Sequence, residues 1–504
     1  MSVASLACAA LAGLTIGAPI AAAVPIAAAV PIAAAVPIAA AVPCAATVPC
    51  AATVPCAATV PIAAAVPCAA AVPCAAAVPC AAAVPCAAAE PCAAAVPIAA
   101  AVPIAAAVPI AAAVPCAVET GSQADSAKPA AERSRPAPDD VPQDVPVGAD
   151  EARTALNKAL GWMVAHQNPD GSWGTDTVES LFELNYSPAS FGAWKLAGGA
   201  ISTLALLGAE ETPERRKALE KAVDFILATP RHKRGSDWDI DNNWAALYVT
   251  VFLETLARDA RFQAEPWKTR IATRGAEYLQ HLSEQQDPLG GWGYYEGPVV
   301  SRRPTWSTSF STACVVPALL GAKELGWPVD AKMLDRAVDY VRRCSLPNGA
   351  YEYDLRPIPR MSGGENINDV KGSLGRIQVC NWARYAAKDP RVGLEKLREG
   401  LKLFFDNHQF LDVARMRPIP HEAYYANAGY FYFFGHYHAA RVIECLPEAE
   451  REPWHARLRA EIVKAQGKEG QFIDFVGSFY SYTYATGFAA LSLQAGLRGG
   501  ALPK

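Results

Sequence analysis

The stretch Lys158-Ala159-Leu160-Gly161-Trp162-Met163-Val164-Ala165-His166-Gln167-Asn168-Pro169-Asp170-Gly171-Ser172-Trp173 reads as a helix that ends on a Gln, turns through Asn-Pro-Asp-Gly and pins the turn with a Trp. Gly171 allows the positive φ that a chain needs just past a helix end. Gln167 can bond carbonyls that the last helical turn leaves without partners, and can reach a neighbouring repeat. Trp173 can cover the apolar side of the loop.

Outward from this stretch, fragments of the pattern return. Arg274, Gly275, Tyr278, Leu279, Gln285, Gly291 and Trp292 form a copy with extra residues before the Gln, and Gly291 takes the positive-φ role there. Arg336, Ala337, Tyr340, Val341, Gly349 and Tyr351 form a copy without the Gln, and Arg459, Ala460, Gln466, Gly470 and Phe472 another. Helical periodicity after residue 150 falls into six pairs. Residues 151–166 pair with the run holding Ala200, Leu204, Leu206 and Leu207, and 218–227 with 245–256. Then 271–282 pairs with 310–325, 334–344 with 374–387, 392–405 with 424–446, and 454–465 with 483–497. The first helix of each pair is charged and amphipathic, as Glu395, Lys396, Arg398, Glu399 and Lys402 illustrate. The second is apolar on most faces, as in Gly429-Tyr430-Phe431-Tyr432-Phe433-Phe434-Gly435. A helix apolar all round is buried. Six solvated helices around six buried ones predict an all-α fold, an (α/α)6 toroid over residues 151–500.

These turns resemble the QW motif of the squalene–hopene cyclase and protein prenyltransferase β-subunit superfamily. Lys158, Ala159, Trp162, Met163, Gln167, Gly171 and Trp173 fill every slot of that motif, and the other copies fill part of it. The resemblance spans the last 350 or so residues, does not extend to residues 1–150, and implies the same toroid.

The remainder of the 504-residue chain differs in kind. Residues 1–118 repeat a hexapeptide such as Pro25-Ile26-Ala27-Ala28-Ala29-Val30, with Ile or Cys after each Pro and no charge before Glu90. The tract is long and apolar enough for membrane spans. A Pro in every six residues, each costing roughly 3 kcal/mol inside a helix, argues against a multi-span bundle. A cleaved signal at residues 1–23 fits the small, apolar composition but lacks an initial Lys or Arg. Export and a cytoplasmic location therefore both stay open. Residues 119–150 are Pro-rich and acidic, a linker composition. Net charge is −4, which offers no basic field to nucleic acid. Cysteines in the tract share a slot with Ile. Cys314, Cys344, Cys380 and Cys445 sit in apolar helical patterns, where free thiols are expected.

In a toroid the chemistry is sought just before the inner helices. Asp237-Trp238-Asp239-Ile240-Asp241-Asn242-Asn243-Trp244 precedes one of them. It resembles the Asp-x-Asp-Asp motif of class II terpene cyclases, which implies Asp241 as the acid that protonates an alkene or epoxide and Asp239 as its partner. Clustered carboxylates beside apolar walls raise one another's pKa. The last position is Asn242 rather than Asp, which reduces that shared charge. The structural alternative is Asp241 or Asn242 as a helix N-cap. Trp244, Tyr248, Trp306, Phe310, Trp382, Tyr424 and Tyr482 lie on or just before inner helices and are candidate ligand-binding rings, as are Tyr425, Tyr480 and Tyr484. Arg376, with Glu365, Asp369 and Lys371 in the long insertion at 361–376, is a candidate for an anionic group. Otherwise the insertion is a solvated loop, with Ser373 capping the next helix. His421, Glu422, His436 and His438 raise the question of metal, but His436 and His438 are two apart and face away from each other on a helix. No catalytic metal and no cofactor is expected.

Three functions remain open. The resemblance implies a terpenoid cyclase or prenyltransferase-like enzyme acting on an isoprenoid. A non-catalytic toroid would bind a hydrophobic ligand or a protein partner. A carbohydrate-active barrel would need a carboxylate pair such as Asp241 and Glu365.

Overall fold

A computed structural model describes residues 146–180, 183–184, 186–356 and 366–497. The Ala-Val-Pro tract, the linker up to residue 145 and Glu365 lie outside them. Among the described residues, twelve long helices alternate between two rings. The outer ring holds α1 (Ala149–Ala165), α3 (Pro213–Ala228), α5 (Trp267–Glu284), α7 (Ala331–Arg343), α9 (Leu394–Asp406) and α11 (Glu448–Val463). The inner ring holds α2 (Pro188–Leu207), α4 (Trp244–Leu256), α6 (Ser309–Glu324), α8 (Leu374–Ala386), α10 (Phe431–Glu444) and α12 (Ser481–Gln494). No strand occurs among the described residues, only bridges between Trp292 and Thr308 and between Ser345 and Tyr351. Each inner helix packs on the next, and α12 packs back on α2, so the ring closes. The fold is the (α/α)6 toroid that the helical pattern predicts.

Sequence explains the two rings. In α7 the buried residues are Met333, Leu334, Ala337, Tyr340 and Val341, one stripe at helical spacing. Asp330 caps that helix by accepting from the Lys332 N–H at 3.0 Å. In α6, by contrast, every residue from Ser309 to Val316 is buried. The α2 helix starts on Ser187, whose side chain accepts from the Ala189 N–H, with Pro188 in the first turn where its missing N–H costs nothing.

The turns after α1, α5 and α11 join the outer helices. Gln167 Nε2 donates to Gly171 O within its turn at 3.1 Å and to Ala218 O of α3 at 2.8 Å. Gln466 does the same to Gly470 O and to Ala155 O of α1. After α5 the bond is made by Gln286, to Gly290 O and Met333 O, each at 2.8 Å. The Gln285 expected there instead accepts from the Gly297 N–H. The positive φ also falls on Gly290 (107°) and not on Gly291. Both shifts have one cause: α5 runs on to Glu284, so the turn begins one residue later than expected. Trp173 and Trp292 are buried, and each indole N–H donates to a carbonyl of the preceding helix, Met163 O at 2.8 Å and Leu282 O at 2.7 Å. Cys314, Cys344, Cys380 and Cys445 are free. No described helix is long and apolar enough to cross a membrane.

Candidate active site

Residues of α2, α4, α6, α10 and α12, with the loops before them, surround a cavity of about 400 Å³. That lies in the ordinary range of small-molecule sites, roughly 300–1,000 Å³. Its wall is almost wholly aromatic and aliphatic, and among its described lining residues Asp241 is the one carboxylate.

Asp241 is held there by anchors on both sides. Upstream, the Asp239 carboxylate accepts from Ser187 N–H (2.8 Å), Ser187 Oγ (2.7 Å), Ser190 Oγ (3.2 Å), Gly235 N–H (3.0 Å) and Ser236 N–H (2.8 Å). Arg234 reinforces this by donating to Asp239 O and Asp237 O. Downstream, Asn243 N–H donates to Tyr294 O at 3.0 Å, Asn243 Nδ2 to Gly293 O at 2.8 Å, and Asn242 Oδ1 accepts from Glu296 N–H. Between these anchors Asp241 adopts φ 65°, the left-handed conformation that a residue with a Cβ enters at a cost. Its carboxylate accepts from Trp194 Nε1 at 3.3 Å. Burial pushes its pKa up to about 6, against the lowering effect of bonds from Trp194 and Trp244.

Two expectations fall here. Asp239 is not a tuning partner for Asp241. It is fully buried away from the cavity, and although burial opposes ionisation, its donors hold its pKa below the ordinary value. Burial, not a second carboxylate, makes Asp241 a weak acid. Nor does Asp241 or Asn242 cap α4: the N-cap is Asn243, with no side-chain cap bond.

Of the predicted rings, Trp244, Tyr248, Phe310, Tyr480 and Tyr484 line the cavity. Trp306 does not; it stacks on Tyr295 with centroids 5.1 Å apart and donates to Asp354 at 2.9 Å. Trp382 is covered by the Arg441 guanidinium at 4.8 Å. Tyr424 and Tyr425 pack against Phe410, and Tyr482 faces Trp162 of the outer ring. Arg376 is buried over the Tyr353 ring, and donates to Tyr351 O and Ile367 O. Its guanidinium ties the chain at Tyr351 to that at Ile367 and does not line the cavity. Lys371 sits 4.5 Å over Phe410. Ser373 holds the N-cap position of α8, but its hydroxyl bonds the Tyr351 backbone and makes no cap bond.

The wall residues that the pattern did not single out include Tyr186, Trp194, Tyr294, Phe434 and Phe488. The Ser187-Pro188 start of α2 was the available signal for Trp194, which lies two turns into that helix with Ile201 on the same face. Behind Tyr484 lies a second buried acid, Asp474, pushed up to about 7 by burial despite donors from Phe433 N–H, Ser481 and Tyr484.

The histidines divide. His436 meets His408 rather than His438: their Nε2 atoms are 2.9 Å apart, and Glu461 is close enough that the three could offer ligand atoms within 4.8 Å of one another. Burial opposes charge on His408, but Asp412 and Glu461 lift its pKa to about 9, so both its nitrogens donate. His421 lies instead on the cavity wall.

Residues 144–254, which run from before α1 into α4 and include Asp241, match the family described as the squalene-hopene cyclase C-terminal domain. This segment of the toroid is similar to the squalene–hopene cyclase family. The chain is 29% identical over 205 residues to a drimenyl diphosphate synthase from Streptomyces showdoensis, a match covering 40% of this chain and 33% of that protein. It is 25% identical over 232 residues to a probable squalene–hopene cyclase from Sinorhizobium fredii, covering 42% and 33%. The chain thus spans about a third of the length of these relatives. A solved type II terpene cyclase from Scytonema aligns over 70% of this chain and 100% of its own at 12% identity, with a TM-score of 0.40.

Proposed function

We propose that this toroid is a terpene cyclase that starts its reaction by protonation. One observation carries the reading: a single carboxyl, Asp241, stands in an aromatic cavity with its pKa raised toward neutrality and its backbone held in a strained turn. The substrate is an acyclic polyprenyl chain. An apolar wall gains from burying such a chain, at roughly 25 cal/mol per Å² removed from water. The Asp241 carboxyl gives its proton to a terminal alkene or epoxide, and the indole N–H of Trp194 stabilises the carboxylate left behind. The positive charge then migrates as alkene electrons close rings. Trp244, Tyr294, Phe310 and Phe434 present π faces or edges around that path, and a face opposite a cation is worth ~0.5–2 kcal/mol. The match to the cyclase domain over the segment that contains Asp241 supports this reading.

The test is turnover. Purified protein incubated with squalene, geranylgeraniol or farnesyl diphosphate is expected to give a cyclised product from at least one, detected by mass spectrometry. Asp241→Asn, which keeps the shape and the turn preference, is expected to lower that rate by at least about 100-fold without loss of melting temperature. Thermal stabilisation by these compounds without conversion would identify a binding protein instead.

A further inference from the structure

A cyclisation begun by a proton must end by losing one or by capturing water, and the cavity holds a pair arranged to take a proton. His421 and Tyr430 both line it. His421 Nδ1 lies 2.8 Å from Ala426 O, and its Nε2 lies 3.0 Å from the Tyr430 hydroxyl. A carbonyl can only accept, so Nδ1 of the neutral ring carries the hydrogen. Nε2 is then an acceptor, and the Tyr430 hydroxyl donates to it. The loop that makes this arrangement is strained: His421, Tyr425 and Ala426 have φ of 64°, 58° and 55°. Three left-handed residues within six return the Ala426 carbonyl to Nδ1 and so set the tautomer. Such cost persists where the surroundings impose it, and it marks sites of function. Tyr430 is packed between Phe431 and Phe475, with centroids 5.1 and 5.4 Å away, and Asp241 acts on it electrostatically. The pair therefore faces the same reaction space as the acid.

We propose that Tyr430, backed by His421, is the base that ends the reaction; this rests on the cyclase reading above. A C–H bond next to the final cationic carbon breaks, and its electron pair becomes the new alkene. The proton passes to the Tyr430 oxygen as that oxygen's own hydrogen moves to His421 Nε2. The outcome is a neutral alkene and an imidazolium, which releases its proton to water, while Asp241 regains one from water. Tyr430 is the catalytic residue and His421 the positioning residue behind it.

The experiment compares products from the full chain with whichever of squalene, geranylgeraniol and farnesyl diphosphate it converts. Tyr430→Phe keeps the ring and removes the oxygen. Products are compared per mole of substrate consumed, so the readout is the fate of the final cation whatever the overall rate. The ratio of the parent alkene to water-captured alcohols and isomeric alkenes is expected to fall by about tenfold or more. His421→Gln is expected to move the ratio in the same direction, with a melting temperature unchanged from the parent, which a merely structural role would not produce. An unchanged product ratio in Tyr430→Phe, while Asp241→Asn is inactive, overturns this assignment and leaves the cyclase reading intact. A shift in Tyr484→Phe but not in Tyr430→Phe overturns it in favour of the Tyr484–Asp474 pair. No conversion by the parent protein overturns both readings.

Discussion

Because burial lifts the Asp241 carboxyl to about 6, its protonated fraction falls as pH rises past that value. The acid form is the reactive one, so kcat/KM is expected to be level below about pH 6 and to drop about tenfold per unit above it. A pH–rate profile measured from 5 to 9 tests this, and a level profile up to pH 8 would remove Asp241 from the role. Asp241 was legible because three acids within five residues precede an apolar helix. Its environment was not. Asp239 looks like a chemical partner in the linear motif, yet its ligands include Ser187 and Ser190, which stand 52 and 49 residues away. Whether two nearby carboxylates share a charge or lead separate lives depends on which distant N–H groups reach them, and spacing does not encode that. Arg376 illustrates the same point from the cationic side, since its Nε and one Nη donate to carbonyls of residues 351 and 367.

At the level of helices and turns, the glycines after α1 and α11 carry a double demand. Gly171 has φ 96°, and a Cβ there would lie 2.2 Å from Lys221 O. Gly470 has φ 101°, with Lys158 O at 2.5 Å. Gly171→Ala is therefore expected to cost more than about 2 kcal/mol, from the left-handed backbone and the collision together. Gly161→Ala, in α1 with nothing within 4 Å, is expected to be neutral or to add up to about 1 kcal/mol. Denaturant melts of the two variants measure the contrast, and equal losses would refute the steric account. Helix pairing could be read from sequence because charged stripes and all-apolar runs alternate. Registers at the turns could not: the choice of Gln286 over Gln285 hangs on where the last turn of α5 stops. The inner-helix faces were equally hidden, since a helix buried all round gives no periodic clue to which side meets a cavity. That is why Tyr248 and Tyr482, both aromatic and both on inner helices, part company.

The described toroid is a closed annulus, and its closure can be weighed. Gln466 ties the sixth hairpin to Ala155 of the first, beside a bond from Val147 N–H to Ala456 O and one from Gln494 to Ala205 O. Gln167 makes the corresponding tie between the first and second hairpins. Removing either as Gln→Ala is expected to cost about 1–2 kcal/mol, by loss of the bond and exposure of an orphan carbonyl. Calorimetry should show a single transition displaced by the same amount in both variants. A far smaller displacement for Gln466→Ala would mean that the ends are only loosely docked. The toroid itself was the most legible feature, because it needs only alternating helix character and a repeated turn. The seam between the sixth and first hairpins uses the same glutamine device as the joints after α1 and α5. Such a circle has no intrinsic origin. Circularly permuted genes that open it at the Gly326–Pro328 bend, for instance, would encode the same object.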